Sequence, residues 1–306
     1  MSLLYTLQEL RTPVLDSIMA LVTRLGEETI FMVVAIVVFW CVSKVGGYYL
    51  LTVGFLGTVM NQFLKMLFRI PRPWVLDPNF DIVESAREAA TGYSFPSGHT
   101  QSAVGTFGGL ARMTGKNWLR AVLIVVALLV AFSRMYLGVH TPLDVGVSLL
   151  VGTVLVLVLW PLVQSAQREP QRMLWVLLGL LGCSAAFLLF MELYPFPADT
   201  DIHNLESAVS NAWKLSGATV GMLIACWLDQ KYIHFETKAA WWVQIIKVAV
   251  GLALVVAIKA GLKAPLIAII GHADAAGAVR YGLMVLFAGA VWPLCFAPLR
   301  KLEKKK

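Results

Sequence analysis

The chain has 306 residues, of which 58% are hydrophobic and only 14% are charged, and its formal net charge is +7. A soluble domain carries about 45–50% apolar and about 25% charged residues, so this composition excludes an ordinary soluble protein and indicates an integral membrane protein. The surplus of Lys and Arg lies in short connections and in the tail, which favours contact with anionic lipid and argues against nucleic-acid binding. The four cysteines lie inside apolar runs and have neither disulfide-framework nor metal-site spacing.

The first 27 residues predict a helix that lies in the membrane interface. Val14, Ile18, Leu21 and Leu25 recur at helical spacing, and charged residues stand between them. A helix with one apolar face and one charged face lies flat at the boundary between lipid and water. We therefore interpret residues 1–27 as an interfacial amphipathic helix.

The rest of the chain contains apolar runs long enough to cross a bilayer, which takes about 17–25 residues for each helix. We predict an all-α polytopic membrane protein with about nine spans. The predicted spans are residues 28–44, 47–68, 99–114, 118–137, 143–164, 173–194, 213–229, 241–262 and 280–299. We expect residues 28–165 to form a helical-bundle core and residues 166–306 to add transmembrane helices of unassigned role.

The charge of the connections predicts the orientation of these spans. Lys and Arg are more numerous on one side, which includes Arg300, Lys301 and the basic residues 304–306 of the tail. By the positive-inside rule this side is cytoplasmic, and the C-terminus lies in the cytoplasm. The end of the second span, the start of the third and the gap between the fourth and fifth then meet at the outer face.

Two basic residues stand seven positions apart at the end of the second predicted span. Lys65 and Arg72 project from one face if the helix continues over these two turns. Pro71 and Pro73 favour an extended chain, which fixes the direction of Arg72. An ammonium and a guanidinium that converge on one point make a phosphate clamp. The alternative is that Lys65 and Arg69 only extend to the interface to keep their charges in water.

The second motif is the sequence Pro96, Ser97, Gly98 and His99, which precedes an apolar helix. Free N–H groups at a helix N-terminus form an anion site when a glycine allows close approach. His99 stands where it can protonate a leaving oxygen. The alternative is an ordinary Ser N-cap followed by a histidine at the interface.

The third motif places Arg134 six residues before His140 and Asp144 four residues after it. Thr141 and Pro142 predict an N-cap and a first helical position, which puts Asp144 in the opening turn of the fifth span. Its carboxylate can reach one ring nitrogen of His140 and leave the other nitrogen basic and nucleophilic. The alternative is that Asp144 only caps the helix and that His140 is exposed to water at the interface. Asp144 can also have both roles.

Together, the three motifs resemble the signature KxxxxxxRP, PSGH and SRxxxxxHxxxD of the type-2 phosphatidic acid phosphatase superfamily, phosphatase branch. The resemblance covers about residues 10–165, and no signature residue is missing. It implies a phosphatase that needs neither metal nor cofactor. In such an enzyme His140 attacks phosphorus to give a phosphohistidine, Asp144 orients His140, and His99 protonates the leaving group. The resemblance also implies that the phosphoryl oxygens are held by Lys65, Arg72, Ser97, Gly98 and Arg134.

We therefore expect an integral membrane enzyme that hydrolyses lipid phosphomonoesters or lipid pyrophosphates, because a headgroup can reach an interfacial pocket while its tail stays in the bilayer. Phosphatidic acid, phosphatidylglycerol phosphate, undecaprenyl pyrophosphate and a sphingoid phosphate all fit. A soluble phosphate ester, such as a sugar phosphate, is the nearest alternative substrate. A lipid transporter or flippase is an alternative of another class, favoured by intramembrane cations. The expected location is the bacterial cytoplasmic membrane, with the pocket on the extracytoplasmic face.

Overall fold

The computed structural model describes residues 1–301, and every element of that part of the chain is helical, which confirms the all-α class. The basic tail residues 304–306 lie outside the described residues. The α-helices are α1 (Ser2–Glu9), α2 (Pro13–Arg24), α3 (Glu28–Val37), α4 (Lys44–Phe68), α5 (Pro73–Leu76), α6 (Gly98–Ala103), α7 (Gly109–Met113), α8 (Asn117–Tyr136), α9 (Pro142–Ser165), α10 (Gln171–Leu193), α11 (Ile202–Leu228), α12 (Trp241–Gly261), α13 (Lys263–Ile270), α14 (Ala273–Leu286) and α15 (Phe296–Lys301). The π-helical segments are Val38–Val42, Val104–Gly108, Asp229–Ile233 and Phe287–Val291, and the 3-10 turns are Glu84–Ala86 and Trp292–Cys295.

Six helical stretches of the described chain are long and apolar enough to cross a membrane. They are Lys44–Leu76, Asn117–Tyr136, Pro142–Ser165, Gln171–Leu193, Trp241–Ile270 and Ala273–Lys301. A seventh is possible if Pro13–Arg24 and Glu28–Val42, which meet at a bend of 46°, count as one broken span. The prediction of about nine spans is therefore not confirmed.

The predicted spans that fall short have identifiable reasons. Residues 98–113 are helical throughout, with α6 and α7 joined by a π-helical segment. This helical stretch is too short to cross a bilayer. Helix α11 is long enough, but polar residues such as Asn211 and Lys214 lower its hydropathy. Helix α3 with its π-helical continuation is one arm of the bent pair.

The N-terminal region consists of two helices rather than one. Thr12 caps α2 through a side-chain oxygen that accepts from the Leu15 N–H, and Pro13 begins the helix. Helix α2 packs against α8, where the Tyr136 hydroxyl donates to Asp16 Oδ1 at 2.8 Å. The predicted apolar face of α2 is outward, since Val14 and Leu21 are both more than two-thirds exposed. This helix therefore combines a protein-facing side with an apolar outer side.

Contacts divide the chain into two compact units. The first contains Met1–Met32, Leu56–Trp160 and Ala198–Leu205, and it holds all three sequence motifs. The second contains Val33–Phe55, Pro161–Pro197 and the described residues from Glu206 onwards.

Close helix packing characterises the second unit. A Cβ atom added to Gly217 of α11 would lie 2.0 Å from the Ala278 carbonyl oxygen, and one added to Gly221 would lie 2.3 Å from the Gly282 carbonyl oxygen. Glycines of this kind let helix backbones approach closely in membrane proteins. Helices α11 and α14 are thus in direct backbone contact.

Candidate active site

The imidazole of His140 and the carboxylate of Asp144 face each other at the start of α9. His140 Nδ1 lies 3.5 Å from Asp144 Oδ2, and both side chains are almost completely buried. Asp144 Oδ2 also accepts hydrogen bonds from the Ser94 hydroxyl at 2.6 Å and from the Thr141 N–H at 2.7 Å. The Asp144 N–H donates to Thr141 Oγ1 at 3.3 Å. Thr141 therefore caps α9 and Asp144 completes a reciprocal capping box, while the same carboxylate stands behind the imidazole.

Arg72 determines which nitrogen of His140 carries the ring proton. Arg72 Nη1 lies 3.0 Å from His140 Nε2. Because a guanidinium can only donate hydrogen bonds, Nε2 is the acceptor nitrogen and the proton of a neutral His140 is on Nδ1. Nδ1 lies 3.5 Å from Asp144 Oδ2 and makes no hydrogen bond within residues 1–301, so the carboxylate is near this proton without accepting it in this geometry. The tautomer leaves Nε2 as the nitrogen with nucleophilic character.

The surroundings of His140 favour its neutral form. Burial lowers the pKa of His140 well below the usual value of 6.5, and the positive charges of Arg72 and Arg134 lower the pKa further. The neutral imidazole is the form that a nucleophile requires. His140 is thus neutral at neutral pH, with its Nε2 lone pair directed at Arg72.

Lys65 and Arg72 are buried, and both donate to backbone carbonyls of one short loop. Lys65 Nζ donates to the Tyr93 carbonyl. Arg72 Nε donates to the Gly92 carbonyl at 2.9 Å, and Arg72 Nη2 donates to the Thr91 carbonyl at 2.5 Å. The loop therefore fixes the position of both cations beside His140.

Arg134 is fully buried at the end of α8 and has only part of its donors in use. Its Nη1 donates to Thr23 Oγ1 at 2.7 Å. Its Nε and Nη2 have no hydrogen-bond partner within residues 1–301. An unpartnered buried donor costs about 1–3 kcal/mol, so these N–H groups mark a place where an anion would be favourable.

The PSGH motif lies at the start of α6, next to α9. Ser97 is the N-cap residue, and its Oγ accepts from the Thr100 N–H at 3.4 Å. The Ser97 N–H donates to the Asp144 carbonyl at 3.2 Å, which joins the motif to α9. Gly98 is the first residue of α6, and a Cβ added there would lie 3.8 Å from Asn61 Oδ1. The structure therefore brings the second and third motifs into direct contact.

His99 belongs to the same cluster of charges. It is half-buried, and the positive charges of Arg134, Arg72 and Lys65 all act on it. His99 and His140 also interact electrostatically. With neutral imidazoles, three cations face one carboxylate, which leaves two positive charges in excess. This balance suits a doubly charged phosphate group.

Three buried polar residues outside the motifs complete these surroundings. Ser94 binds the carboxylate and Thr23 binds the buried arginine, as described above, and Asn61 Nδ2 donates to the Pro96 carbonyl at 3.4 Å. Sequence reasoning missed all three. Only Asn61 carried a signal, because it is a polar residue within a predicted span, one helical turn before Lys65.

A cavity of about 560 Å³ lies beside Arg72. Its lining combines Arg72 and Trp74 with Phe68 and Val75, which are both more than half exposed. Asp199 and Asp201 also line it, so the cavity combines charged groups of both signs with apolar surface. Within residues 1–301, no three His, Cys, Asp or Glu side chains are grouped so that they could hold a metal ion.

Two family models match the chain. Residues 46–168 match the PAP2 superfamily, and residues 213–305 match the transmembrane extension of PAP2 superfamily phosphatases. The first match contains the three motifs, and the second lies in the C-terminal half of the chain. The second match, together with the six apolar helices, identifies an integral membrane protein.

Individual relatives agree with this result. An undecaprenyl-diphosphatase of Sulfolobus acidocaldarius is 29% identical over 143 residues, which are 45% of this chain and 66% of that protein. A dihydrosphingosine 1-phosphate phosphatase of Schizosaccharomyces pombe is 24% identical over 291 residues, which are 88% of this chain and 67% of that protein. The chain thus matches about two-thirds of the length of each relative. A crystal structure of Aquifex aeolicus LpxE is 29% identical and covers 52% of this chain and 92% of that chain, with a TM-score of 0.47.

Proposed function

This chain belongs to the PAP2 superfamily, and on that premise we propose that it is a membrane phosphatase that hydrolyses lipid phosphomonoesters or lipid diphosphates through a phosphohistidine. One observation carries the proposal. The acceptor nitrogen of His140 lies next to Arg72, the opposite nitrogen faces Asp144, and Arg134 has two buried donors to spare. A phosphate group bound by these donors lies in front of a nitrogen lone pair.

In the first step, the lone pair of His140 Nε2 forms a bond to phosphorus, and the bond between phosphorus and the lipid oxygen breaks. The bound phosphate dianion offsets the surrounding positive charge, so that His99 is protonated in the complex, and it gives this proton to that leaving oxygen and becomes neutral. In the second step, His99 takes a proton from water, the water oxygen attacks phosphorus, and the phosphorus–nitrogen bond breaks. The products are inorganic phosphate and a neutral His140. Asp144 keeps the proton of His140 on Nδ1 and stabilises the positive ring in the intermediate.

The cations replace the metal ion that many phosphoryl-transfer enzymes use. Lys65, Arg72 and Arg134 neutralise the phosphoryl oxygens, and Ser97 with the Gly98 N–H adds neutral donors. Positively charged groups fixed before the reaction stabilise the developing charge without a cost of reorganisation. Metal independence is therefore part of the proposal.

The cavity beside Arg72 supports a lipid substrate. Its exposed apolar residues Phe68 and Val75 can receive the start of a lipid tail while the headgroup reaches the guanidinium. The named activities of the two curated relatives suggest a prenyl diphosphate or a sphingoid phosphate as the substrate class. We place the site at the extracytoplasmic face of a bacterial cytoplasmic membrane, with the C-terminus in the cytoplasm, because the basic connections lie on the opposite side.

Phosphate release by the purified full chain tests the function. The substrates are undecaprenyl diphosphate, phosphatidic acid, a sphingoid phosphate and glucose 6-phosphate, each with and without EDTA. We expect release from at least one lipid at a rate far above that from the sugar phosphate, and no loss in EDTA. Release from the sugar phosphate alone would favour the soluble-ester alternative. Lipid translocation without phosphate release would favour the transporter alternative.

A matched pair of histidine variants tests the mechanism. His140→Ala should abolish phosphate release and the acid-labile phosphoenzyme that rapid quenching captures from labelled substrate. His203→Ala removes an exposed histidine of the same unit and should change neither. Turnover by a folded His140→Ala variant would overturn the assignment of the nucleophile.

A further inference from the structure

A second cavity lies in the second unit, built from α11, α13 and α14. It has a volume of about 210 Å³, and three cations line it, namely Lys214, Lys263 and Arg280. Asp274 is a carboxylate of the same lining. The lining therefore has two positive charges in excess. A small cavity with this charge is suited to one anionic group rather than to a large ligand, since pockets for drug-sized ligands measure about 300–1,000 Å³.

Helix packing makes two walls of this cavity rigid. The backbone contacts of Gly217 and Gly221 with α14 hold α11 and α14 at a fixed distance. Lys214 is one helical turn before Gly217, and its Cγ would lie 3.6 Å from a Cβ added to Gly277 of α14. The stem of Lys214 therefore lies at van der Waals distance from α14 at Gly277. Fixed walls are what a binding site needs, because they lower the entropy lost on binding.

Arg280 has a donor that is not used. Its Nη1 donates to the Lys259 carbonyl at 3.4 Å, and its guanidinium lies 5.5 Å from the centre of the Tyr281 ring. Its Nε is buried and has no hydrogen-bond partner in the described part of the chain. A buried N–H without an acceptor is unfavourable, and an anion in the cavity would supply the acceptor.

The first turn of α14 adds to the attraction for an anion. Ala273, Asp274, Ala276 and Gly277 of this turn line the cavity. The positive end of the helix dipole favours negative charge there. His272 caps the helix, since its Nδ1 accepts from the Ala275 N–H at 3.2 Å, so the turn is held in place.

We propose that this cavity binds a phosphate-bearing anion, either the headgroup of an anionic lipid or free phosphate. The site is separate from the proposed catalytic residues and does not depend on the phosphatase function. Ile269 and Val279, which are 80% and 43% exposed, provide apolar surface on two of the three elements that line the cavity, α13 and α14. An anionic lipid can therefore place its headgroup among the cations and its chains along this surface.

The test compares two variants of the full chain in a neutral detergent. The cavity variant is Lys214→Gln, Lys263→Gln and Arg280→Gln. The matched control removes three basic residues of the same unit outside the cavity, namely Lys231→Gln, Lys238→Gln and Lys301→Gln. Native mass spectrometry measures retention of phosphatidylglycerol against phosphatidylcholine, and thermal melting measures stabilisation by inorganic phosphate. Phosphatidylglycerol is a phosphodiester and not one of the proposed phosphomonoester or diphosphate substrates. Both variants keep the proposed catalytic residues, so any binding of the lipid at that site is the same in the two variants.

If the ligand is a lipid headgroup, the cavity variant binds phosphatidylglycerol at least about tenfold more weakly than the control, because several charge-assisted hydrogen bonds are lost. If it is free phosphate, the cavity variant loses part of the melting shift instead. Equal behaviour of the two variants in both measurements would overturn the proposal. If the triple variant does not fold, Lys263→Gln alone replaces it, because Lys263 is exposed. We then expect a smaller loss of binding in the same measurements.

Discussion

Thr23 and Arg134 are joined by a hydrogen bond of 2.7 Å, although 111 positions separate them in the chain. Both side chains are buried. Thr23 lies on α2, outside the residues 46–168 that match the PAP2 superfamily. The N-terminal helix therefore supplies an acceptor that orients a cation of the candidate active site, and α2 is more than a contact with lipid.

Replacing Thr23 tests this role. Thr23→Val keeps the shape of the side chain but leaves Arg134 Nη1 without its acceptor, and hydrogen bonds to charged groups contribute about 1.5–3 kcal/mol. We expect kcat/KM for phosphate release to fall about ten- to a hundredfold, with Thr23→Ser close to wild type. Melting in detergent serves as the control for folding. Equal activity of the Val and Ser variants would show that Thr23 does not position Arg134.

Ser94 is expected to position Asp144. Ser94→Ala removes the 2.6 Å hydrogen bond to Asp144 Oδ2, and we expect kcat to fall about tenfold while KM changes little, because the carboxylate orients His140 rather than the phosphate. Ser148→Ala is the matched control, since Ser148 is also buried but donates to the Asp144 backbone carbonyl at 3.0 Å. A loss of the same size in both variants would assign the effect to packing.

The pH dependence of activity follows from the environment of His140. Burial and the charges of Arg72 and Arg134 lower the pKa of His140, so the ring stays neutral down to a pH below 6.5. Protonation would remove the lone pair that attacks phosphorus. The acidic limb of the kcat/KM profile should therefore lie below pH 6.5, provided that the substrate does not titrate there. An acidic limb above pH 6.5 that is seen with every substrate would contradict this prediction. A limb that moves when the phosphate pKa of the substrate changes reports titration of the substrate and not of His140.

The contact between α11 and α14 predicts opposite effects for two glycine substitutions. Gly217→Ala places a methyl group against the Ala278 carbonyl, so the helices must separate, at a cost of about 1–3 kcal/mol. Gly179→Ala adds a methyl group on α10 where no atom lies within 4 Å, and it should raise helix stability by about 0.5–1 kcal/mol. Melting temperatures in detergent should therefore move in opposite directions. A Gly217→Ala variant as stable as Gly179→Ala would contradict the close packing.

Hydropathy predicted the class of the fold but not the number of spans. Residues 118–137 and 143–164 are predominantly apolar, and their ends agree with those of α8 and α9 within one position. Residues 99–114 also look apolar, yet the helix they form is short, and Thr100, Gln101 and Thr106 on it are buried in protein. A sequence average cannot distinguish a helix surrounded by other helices from one surrounded by lipid.

The predicted topology gave His140, Asp144, Arg72 and Arg134 a common location because the motifs that contain them stand at the ends of spans on one membrane face. The catalytic roles of these residues stay predictions. Thr23 and Ser94 could not be found in this way. A hydroxyl that donates or accepts across 50 or 111 positions leaves no periodicity in the chain, and its importance appears only when the helices are packed.

The hydrogen bond between Arg72 Nη1 and His140 Nε2 has a chemical consequence. The lone pair that attacks phosphorus in the proposed mechanism is occupied by a guanidinium, and it becomes available only when a stronger acceptor draws Arg72 away. A phosphate dianion can do this, whereas an uncharged alkylating or acylating reagent cannot. The imidazole should therefore resist modification by neutral electrophiles of any shape. The negative charge of a molecule, and not only its fit to the site, then decides whether His140 can react with it.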